Sequence, residues 1–460
     1  MSYLALSPSG ILSLIGFLLG GDKTIPTPAD DYRKATIDLV IPAHNEEKNI
    51  VLCLESIARQ TVKPTKILLV DDGSTDRTSE FARLFADYIG LNLTIIRREI
   101  SEGKTPTVHH AAHESHADIL FVLDADTMLR SNNYIERLVK ELYQGVGIAC
   151  ACGVIEPEFE RDRVAIINTP SVSHFARQFP EITLPKHVTW RRKFEQNITN
   201  NYRGELYLFL QNFIYRGEMV YFGTIINPVG CAVAYRRKYL LDVLDKYTKK
   251  FGFDLTSSED IFIGFAFANL GYRNIQVHDV TAHTGEPIVS RLPRQIMLWS
   301  SSFLQSCYYF DQLLKTPFKL FRVIAKKIKD KRDPASQKNL EKRVIKEAYR
   351  QTFSSQVTEQ FGRPIGWFIF TSLFEKISFP TVIVILIILN LWEMLLITMA
   401  VEITIYTFII GLVYKKKRIR HCLKSLLYTF VRYFFLIYDF YVILNFAKDI
   451  WITKNRAWRK

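Results

Sequence analysis

Continuous apolar runs alternate with amphipathic stretches between residues 35 and 130. The runs "ATIDLVIP", "KILLVDD", "LTIIRR" and "ILFVLDAD" have the length of strands. Between the first two, Ile50, Leu54 and Ile57 recur at the three-to-four spacing of one helix face. Strands buried on both faces and separated by helices are typical of a parallel sheet. We therefore predict an α/β fold with a doubly wound, mostly parallel sheet.

Acidic residues follow two of these strands. Asp71 and Asp72 end one run, Asp124 and Asp126 end another, and the loop Ala43–His44–Asn45 ends a third. In doubly wound sheets, ligands bind at the carboxyl ends of the strands. Two carboxylates separated by one residue suit a hard divalent cation, Mg²⁺ or Mn²⁺, whose coordination is completed by substrate phosphates.

A lysine adds to this set of charges. Lys104 lies in "SEGKTP", just before a predicted helix, where its ammonium can meet a phosphate. Asp71 and Asp72 can accept hydrogen bonds from a base or a ribose. Any single aspartate at a strand end is more often a helix cap or a surface carboxylate. The whole set in this order predicts a nucleotide-diphosphate site.

The last third of the chain is much more apolar. Residues 377–413 and residues 425–447 each carry only two charged side chains. Because a span needs about 20 apolar residues, we predict a hairpin of two spans that turns near 390–393, followed by a third span. Arg432 and Asp439 lie two helical turns apart within the last segment. They either pair with each other, line a glycan channel, or mark an interfacial helix.

Basic residues flank these apolar segments. The 460 residues include 60 Lys+Arg against 46 Asp+Glu, a formal net charge of +14. The excess lies at 315–350, at 415–424 and in the tail "KNRAWRK". This placement favours a cytoplasmic membrane face over nucleic acid, for which no binding module is visible. The stretch "KTPFKLFRVIAKKIKDK" sets apolar residues opposite lysines, as in an interfacial helix; an ordinary surface helix is the alternative.

The cysteines and the first residues add little chemistry. Six cysteines show no metal-binding spacing. Cys150 and Cys152 alternate in an apolar run, so we expect them to fill one face of a strand, with reduced thiols in a cytosolic domain. The apolar N-terminus is short and lacks a basic start. It predicts a marginal span or an interfacial helix rather than a signal peptide.

Five motifs occur together in order: "VIPAHNEEKNI", "LLVDDGSTDRT", "EGKTPTVHHA", "ILFVLDADT" and "SSEDIFIGFAFANLGYR". As a set, over about 37–310, they resemble family 2 glycosyltransferases with a GT-A fold. The chain looks most similar to membrane-embedded synthases of the hyaluronan, chitin, cellulose and poly-N-acetylglucosamine type. The resemblance implies a GT-A sheet, then amphipathic interfacial helices, then a helical transmembrane region. We expect four segments: 1–30 (apolar segment and linker), 31–310 (GT-A domain), 311–365 (interfacial helices) and 366–460 (spans with a basic loop and tail).

The resemblance also implies which residues bind the donor. Residues expected to contact the uridine are Pro42, Ala43, His44, Asn45, Glu46 and Asp72. Lys104 and Asp124 would meet the nucleotide-sugar, and Gln295 would face its pyrophosphate. Asp126, together with Asp124, would hold the metal ion, Mg²⁺ or Mn²⁺.

Catalytic and acceptor roles follow in the same way. Glu259 and Asp260 match the acidic pair of the family, with Asp260 as the general base. Gly230 and Cys231 lie in the segment near the acceptor, and Trp299 would stack on the acceptor sugar. Two simpler interpretations stay open, because an aspartate that begins a helix is often only a cap, and a tryptophan in an apolar helix is often core.

The chain departs from the family pattern at two places. Leu298 occupies the position of the arginine in the family's Gln-x-x-Arg-Trp motif, and Arg291 or Arg294 would have to replace it. The helix after Lys104 carries Thr105–Pro106 and His109–His110, where the family usually has small residues and Leu-Asn. These departures bear on processivity and on the identity of the sugar.

The implied activity is inverting transfer of a sugar from a UDP-sugar to a growing polysaccharide, coupled to export. A first alternative is transfer of one sugar to a lipid-linked acceptor, such as a polyprenyl phosphate or a glycolipid. A second alternative is a catalytically degenerate membrane scaffold. We expect an integral protein of the plasma (inner) membrane with a cytoplasmic catalytic domain. Its partners would be the donor, the glycan or lipid acceptor and the bilayer, with no nucleic acid.

Overall fold

The computed structural model describes residues 5, 7–19, 31–144, 147–182, 189–251, 258–332, 355–414 and 417–454. Some predictions of the sequence analysis lie outside these residues. They concern most of the linker at 24–31, the basic stretch at 333–354, the lysines at 415–416 and the end of the tail. The division into four segments stays a prediction.

The strands of the described chain are β1 (Ile37–Ala43), β2 (Lys66–Asp71), β3 (Leu93–Arg97), β4 (Ile119–Leu123), β5 (Thr127–Leu129), β6 (Ile148–Pro157), β7 (Ala232–Arg236) and β8 (Arg273–Thr284). The helices up to the end of the sheet are α1 (Pro8–Leu19), α2 (Ile50–Ala58), α3 (Thr78–Ile89), α4 (Lys104–Glu114), α5 (Tyr134–Leu142), α6 (Glu160–Ile167), α7 (Pro170–Gln178), α8 (Trp190–Phe209), α9 (Arg216–Phe222), α10 (Arg237–Phe251) and α11 (Glu259–Leu270). A π-helical turn, Leu210–Tyr215, joins α8 to α9. The later helices are α12 (Leu292–Tyr309), α13 (Asp311–Leu314), α14 (Leu320–Arg332), α15 (Ser355–Phe361), α16 (Ile365–Ile388), α17 (Trp392–Val413), α18 (Arg418–Leu427) and α19 (Thr429–Trp451).

The eight strands form one sheet in the order β3-β2-β1-β4-β7-β6-β8-β5. The four strands predicted from the apolar runs are β1 to β4, and all of them pair in parallel. Beyond them the sheet is mixed, because β7 runs antiparallel to both β4 and β6, and β5 runs antiparallel to β8. The α/β prediction with a mostly parallel sheet is confirmed.

The register of the parallel half brings the strand ends together. Ala43, the last residue of β1, lies opposite Asp71, the last residue of β2. Strand β4 is buried along its whole length, as the continuous apolar run predicted. Cys150 and Cys152 are fully buried in β6, which agrees with their expected place in a strand. The charged tips of the strands therefore emerge from an apolar layer at one edge.

Three helices near the C-terminus, α16, α17 and α19, are long and apolar enough to cross a membrane. The break between α16 and α17 falls at residues 389–391, where Asn390 adopts a positive φ of 56°. This agrees with the turn predicted near 390–393. The first of the three helices, α16, begins at Ile365, whereas the apolar segment predicted from the sequence begins at residue 377. Less apolar residues extend the helix at its N-terminal end.

Arg432 and Asp439, the two charged residues predicted within the last apolar segment, do not pair with each other. Arg432 donates to Glu402 of α17 at 2.7 Å (Nη1 to Oε1). Asp439 instead lies 3.3 Å from Lys376 Nζ of α16. Seven residues advance a helix by about 10 Å, so Arg432 and Asp439 meet different neighbours. Pairing between them was therefore the wrong alternative.

Two shorter helices accompany the apolar bundle. Helix α1 has 12 residues, which is short for a span. It crosses α9 closely, since a Cβ on Gly16 would collide with the backbone of Gly217. Near its start, Ser9 donates to Glu375 of α16 at 2.6 Å. Helix α14 leaves Phe321 82% exposed, as expected for a helix that places apolar side chains in a membrane interface.

Candidate active site

A cavity of about 400 Å³ lies beyond the end of β4, between the sheet and helices α8 and α12. Many of the residues predicted from the sequence line it together: Lys104, Asp124, Asp126, Gly230, Cys231, Glu259, Asp260, Gln295 and Trp299. They come from five separate parts of the chain. The sequence-predicted catalytic, metal and acceptor residues thus share one cavity.

Lys104 is the electrostatic centre of the cavity. It is the first residue of α4, and Gly103, with a φ of 93°, allows the sharp entry into that helix. Its Nζ lies 2.7 Å from Asp124 Oδ1 and 2.9 Å from Glu259 Oε1, and it donates to the Gly230 carbonyl at 3.2 Å. Burial opposes its charge, but the carboxylates outweigh burial and hold the pKa of Lys104 well above its usual value.

Asp124 and Asp126 occupy a tight turn between β4 and β5. The turn is closed by a hydrogen bond from the Thr127 amide to the Asp124 carbonyl (2.9 Å), and the Asp124 amide donates to Cys231 O (2.8 Å). Burial, with the nearby carboxylates of Asp124 and Glu46, raises the pKa of Asp126 to about 8. Burial also raises the pKa of Asp124, although Lys104 opposes that change.

This donor set fits a hard divalent cation. Two carboxylates whose negative charge is poorly compensated lie side by side, and an added cation would stabilise both. The chain leaves room beside them, since a Cβ on Gly285 would already stand 3.6 Å from Asp126 Oδ2. Thr127 gives Asp126 a single hydroxyl contact at 3.3 Å. Asp126 is therefore the carboxylate of this cavity that most needs a positive partner.

Asp260 combines a capping role with exposure to the cavity. Its Oδ1 accepts from the Ile261 amide at 2.8 Å and from the Ser258 hydroxyl, so it does cap α11. Its Oδ2 accepts from the Gly230 amide at 3.0 Å. A Cβ on Gly230 would stand 2.5 Å from the Asp260 side chain, which explains the glycine there. Burial and neighbouring Glu259 raise the pKa of Asp260 to about 6, while Lys104 opposes the rise.

Asp72, predicted to contact the uridine, is saturated by the protein's own donors. Its carboxylate accepts from Arg98 (2.9 Å), from the Ser101 hydroxyl (2.6 Å), and from the amides of Glu102 (3.0 Å) and Gly103 (2.8 Å). Burial works against the charge, yet these donors lower the pKa of Asp72 to about 2. In this structure Asp72 organises the turn that delivers Lys104.

The other residues predicted for the uridine lie behind this turn rather than in the cavity lining. Pro42 and Ala43 are the last residues of β1. His44 Nδ1 donates to the Asp72 carbonyl at 2.8 Å. Glu46 accepts from Asn49 at 2.6 Å, and burial raises its pKa. Their contact with a base stays a prediction.

The far wall of the cavity contains a polar group that the sequence analysis missed. Arg203 of α8, 1% exposed, donates to Gln295 Oε1 at 2.8 Å, and its guanidinium lies 4.6 Å from the centre of the Trp299 ring. Glu286 Oε2 lies 3.7 Å from Arg203 Nε, and Tyr207 donates to Glu286 at 2.6 Å. Nothing in the weakly patterned segment around α8 singled out Arg203 or Tyr207, and no local pattern singled out Glu286, which follows β8.

Arg203 also bears on Leu298, which stands where the family motif has an arginine. Leu298 lines the cavity, whereas Arg291 and Arg294 are exposed and absent from its described lining. The arginine that reaches Gln295 and Trp299 thus comes from α8. Arg203 Nε and Glu286 Oε2 are buried and have no hydrogen-bond partner among the described residues. Such atoms are uncommon in folded proteins and often mark a ligand position.

The apolar bundle reaches this wall directly. Ser300, next to Trp299 on α12, donates its hydroxyl to Asp439 of α19. Tyr202 of α8 packs on Phe435 with ring centres 5.6 Å apart. The helices that carry Trp299 and Arg203 are therefore held by the membrane-type helices.

Comparison with known proteins gives a family match within the sheet domain. Residues 38–244 match the family described as "Glycosyl transferase family 2". A glycosyltransferase of Haloferax volcanii (AglE) is 32% identical over 122 residues, which are 26% of this chain and 39% of that protein. A 4,4'-diaponeurosporenoate glycosyltransferase of Staphylococcus haemolyticus is 24% identical over 188 residues, 39% of this chain and 50% of that protein. The matched segment thus spans half or less of these relatives.

Matches to solved structures have low identity and low TM-scores. A mannosyltransferase of Pyrobaculum calidifontis, solved with GDP-Man and Mn²⁺, has a TM-score of 0.44 at 15% identity, over 80% of this chain and 94% of that chain. A glucosyl-3-phosphoglycerate synthase of Mycobacterium tuberculosis has a TM-score of 0.33 at 16% identity, over 60% and 79%. With the sequence match at residues 38–244, the sheet and the cavity at its edge support a family 2 glycosyltransferase.

Proposed function

We propose that the protein is an inverting glycosyltransferase that moves a sugar from a UDP-sugar to an acceptor hydroxyl at the membrane surface. The observation that carries this proposal is the convergence of Lys104, Asp124, Asp126 and Asp260 in one buried cavity. Groups of like charge with raised pKa values in a cleft are typical of catalytic sites. The named relatives and neighbours support a nucleotide-sugar donor.

The metal and the donor would bind at the end of β4. Asp126 and Asp124 would hold Mg²⁺ or Mn²⁺, which when bound neutralises the charge that develops on the leaving diphosphate. Lys104 keeps a positive charge beside these carboxylates, since its ammonium lies 2.7 Å from Asp124. The loops that carry His44, Glu46 and Asp72 would contact the uridine of the donor.

Asp260 would act as the general base. With its pKa near 6, it is mostly ionised at neutral pH and can still accept a proton. The acceptor oxygen attacks the anomeric carbon, its proton passes to Asp260, and the bond from that carbon to the diphosphate oxygen breaks. One displacement inverts the carbon, so an α-linked donor gives a β-linked product. Glu259 orients Lys104 through its ion pair at 2.9 Å.

For the acceptor, we propose a growing polysaccharide. Trp299 and Gln295 offer an aromatic ring and an amide, the groups that suit a neutral sugar, and Gly230 and Cys231 lie between them and Asp260. Contacts of α8 and α12 with α19 put this wall beside the apolar bundle. We further propose that the bundle spans the plasma membrane, that the sheet domain is cytoplasmic, and that the product leaves along the bundle.

Transfer of one sugar to a lipid-linked acceptor is the second candidate. Leu298 favours it, as does the name of the staphylococcal relative, a 4,4'-diaponeurosporenoate glycosyltransferase. The charges argue for a glycolipid hydroxyl rather than a polyprenyl phosphate. Among the described lining residues the cations are Lys104 and Arg203, and each already faces a carboxylate. An anionic acceptor would find neither cation unpaired.

The deciding experiment uses the full chain in nanodiscs with Mg²⁺ or Mn²⁺ and a panel of radiolabelled UDP-sugars. We expect high-molecular-weight product from one donor, or from two together. A single low-mass band that extracts into organic solvent would replace the polymer by a lipid-linked acceptor. No turnover, together with no metal-dependent thermal shift by UDP, would overturn the enzyme proposal and leave a scaffold.

A further inference from the structure

A second cluster of metal-ligating side chains lies outside the cavity, between α4 and α10. His109 and His113 are four residues apart on α4, so they share one face of the helix. Their rings stack with centres 4.3 Å apart. Asp245 of α10 points at them, and its Oδ1 is 2.8 Å from His113 Nε2. One ligand atom from each of the three residues lies within 4.8 Å of the other two.

The hydrogen bonds of His113 define which of its nitrogens carries hydrogen. His113 Nδ1 lies 2.9 Å from the carbonyl oxygen of His109, and a carbonyl oxygen can only accept. Nδ1 therefore donates, and in the neutral ring Nε2 presents its lone pair to Asp245. A lone pair and a carboxylate attract each other only through a shared proton or a shared cation. Donation of the second ring N–H to a backbone carbonyl is also the arrangement that orients most metal-bound histidines.

We propose that His109, His113 and Asp245 bind a Zn²⁺ ion. Two imidazoles and a carboxylate suit Zn²⁺, whereas Mg²⁺ prefers oxygen ligands alone. Ligand atoms around a tetrahedral Zn²⁺ lie about 3.3 Å apart. Small rotations of the half-exposed His109 and exposed Asp245 side chains are enough to reach that spacing. The fourth position would be taken by water.

The site would link two elements that meet at the active site. Helix α4 begins at Lys104, about 7.5 Å along the helix from His109. Helix α10 continues from β7. Strand β7 pairs with β4, and β4 ends just before Asp124. A Zn²⁺ ion held between them would fix α4 against the sheet and steady Lys104. The ligands include His109, one of the positions where the chain departs from the family it resembles.

Zinc binding can be measured without any enzymatic reaction. The EDTA-stripped full chain in nanodiscs, with excess Mg²⁺ to occupy oxygen-rich sites, is titrated with ZnCl₂ by calorimetry. Co²⁺ is added in parallel, because its visible absorption reports nitrogen ligation. We expect one Zn²⁺ per chain, and at least tenfold weaker binding in His113→Gln and in Asp245→Asn. His110→Gln, on the same helix, and Asp126→Asn, in the cavity, should keep wild-type affinity.

Two results would overturn the proposal. If wild-type protein takes up no zinc, the cluster is an imidazolium–carboxylate pair and nothing more. If His113→Gln binds as tightly as wild type while Asp126→Asn loses binding, the zinc sits in the active-site cavity. Because the readout is metal binding, failure here leaves the transferase proposal untouched.

Discussion

Two aspartate pairs lie at the ends of β2 and β4, the strands on either side of β1, yet their surroundings differ in opposite ways. Asp71 and Asp72, after β2, are met by serine hydroxyls, backbone amides and Arg98, and although burial opposes this, the hydrogen bonds lower both pKa values. Asp124 and Asp126, beyond β4, are met mainly by other carboxylates and by Lys104, and burial raises both pKa values. The first pair is satisfied within the chain, whereas the second shares one lysine with Glu259.

This difference distinguishes a carboxylate with a structural role from one that is available for binding or catalysis, although the two aspartate pairs look alike in the sequence. A carboxylate that the chain has already hydrogen-bonded holds a turn together. A buried carboxylate with few hydrogen-bond donors lowers the stability of the folded protein. Such a carboxylate is retained where a bound ligand or ion compensates for this loss. By this criterion, we propose a chemical role for Asp126 and a structural role for Asp72. Asp260 accepts three hydrogen bonds, and its proposed role rests instead on its raised pKa and its place in the cavity lining.

The largest expected effect is at Asp260. Replacing it by Asn removes the proton acceptor while keeping the shape and the hydrogen bond from Gly230. We expect kcat to fall by roughly 10²–10⁴-fold, with UDP affinity within about twofold of wild type. Initial rates with radiolabelled donor and UDP calorimetry measure the two. Exposed Asp87→Asn is the control, and full activity in Asp260→Asn would remove the base assignment.

A matched pair of variants tests the contrast between the two aspartate pairs. Asp126→Asn and Asp72→Asn make the same chemical change after two parallel strands of the sheet, β4 and β2. We expect Asp126→Asn to raise the half-saturating Mn²⁺ concentration and to lower the rate at fixed Mn²⁺ about 100-fold. Asp72→Asn should leave the Mn²⁺ dependence unchanged. Equal shifts in both variants would mean that the two pairs do not differ in function.

Stability should change in opposite directions at the same two positions. Asp72→Ala leaves two amides and the Ser101 hydroxyl without this acceptor and removes one of the acceptors of half-buried Arg98, which costs roughly 2 kcal/mol or more. Asp126 has a folded pKa raised above its unfolded value, so its ionisation disfavours folding at neutral pH. Asp126→Ala should therefore raise the unfolding temperature in EDTA while Asp72→Ala lowers it. A loss of stability in both would contradict the charge argument.

The apolar bundle offers a second matched pair with a smaller effect. Asp439 holds Ser300, next to Trp299, whereas Glu402 pairs with Arg432 away from α12. We expect Asp439→Asn to raise KM for the acceptor up to about tenfold with little change in kcat. Glu402→Gln should change thermal stability but not that KM. The same KM change in both would assign the effect to general loosening of the bundle.

The sequence was sufficient to predict the regular secondary structure of the parallel half of the sheet and of the apolar bundle. Uninterrupted apolar runs locate β1 to β4, because strands buried on both faces allow little polarity. The membrane-type helices follow from length and composition, and motif order brought together Lys104, Asp124 and Asp260. What it could not predict depends on partners far apart in the chain. Neither the four donors to Asp72 nor the capping bonds of Asp260 leave a local pattern.

Arg203 shows the limit most clearly. It lies in a helix of mixed polarity, about 90 residues before its partners Glu286 and Gln295. A basic residue in such a helix usually faces solvent. Arg203 instead lies against Gln295 and Trp299 of α12, and both α8 and α12 also contact the apolar bundle. The position of Leu298 indicated that an arginine was missing, but no spacing rule indicated from where it would come.

The smallest expected effect is a pH dependence that again separates the two kinds of carboxylate. Asp260 must be ionised to accept a proton, so with saturating Mn²⁺ kcat/KM should rise with pH and reach half its maximum near pH 6. Between pH 6 and pH 8 the gain is about twofold, and the residual activity of Asp260→Asn should lack this limb. A half-maximum near pH 8 would instead indicate that a proton persists on Asp126 beside the metal. A flat profile down to pH 4 would mean that the base has a low pKa like that of Asp72, and a raised pKa would then no longer distinguish the catalytic carboxylate from a structural one.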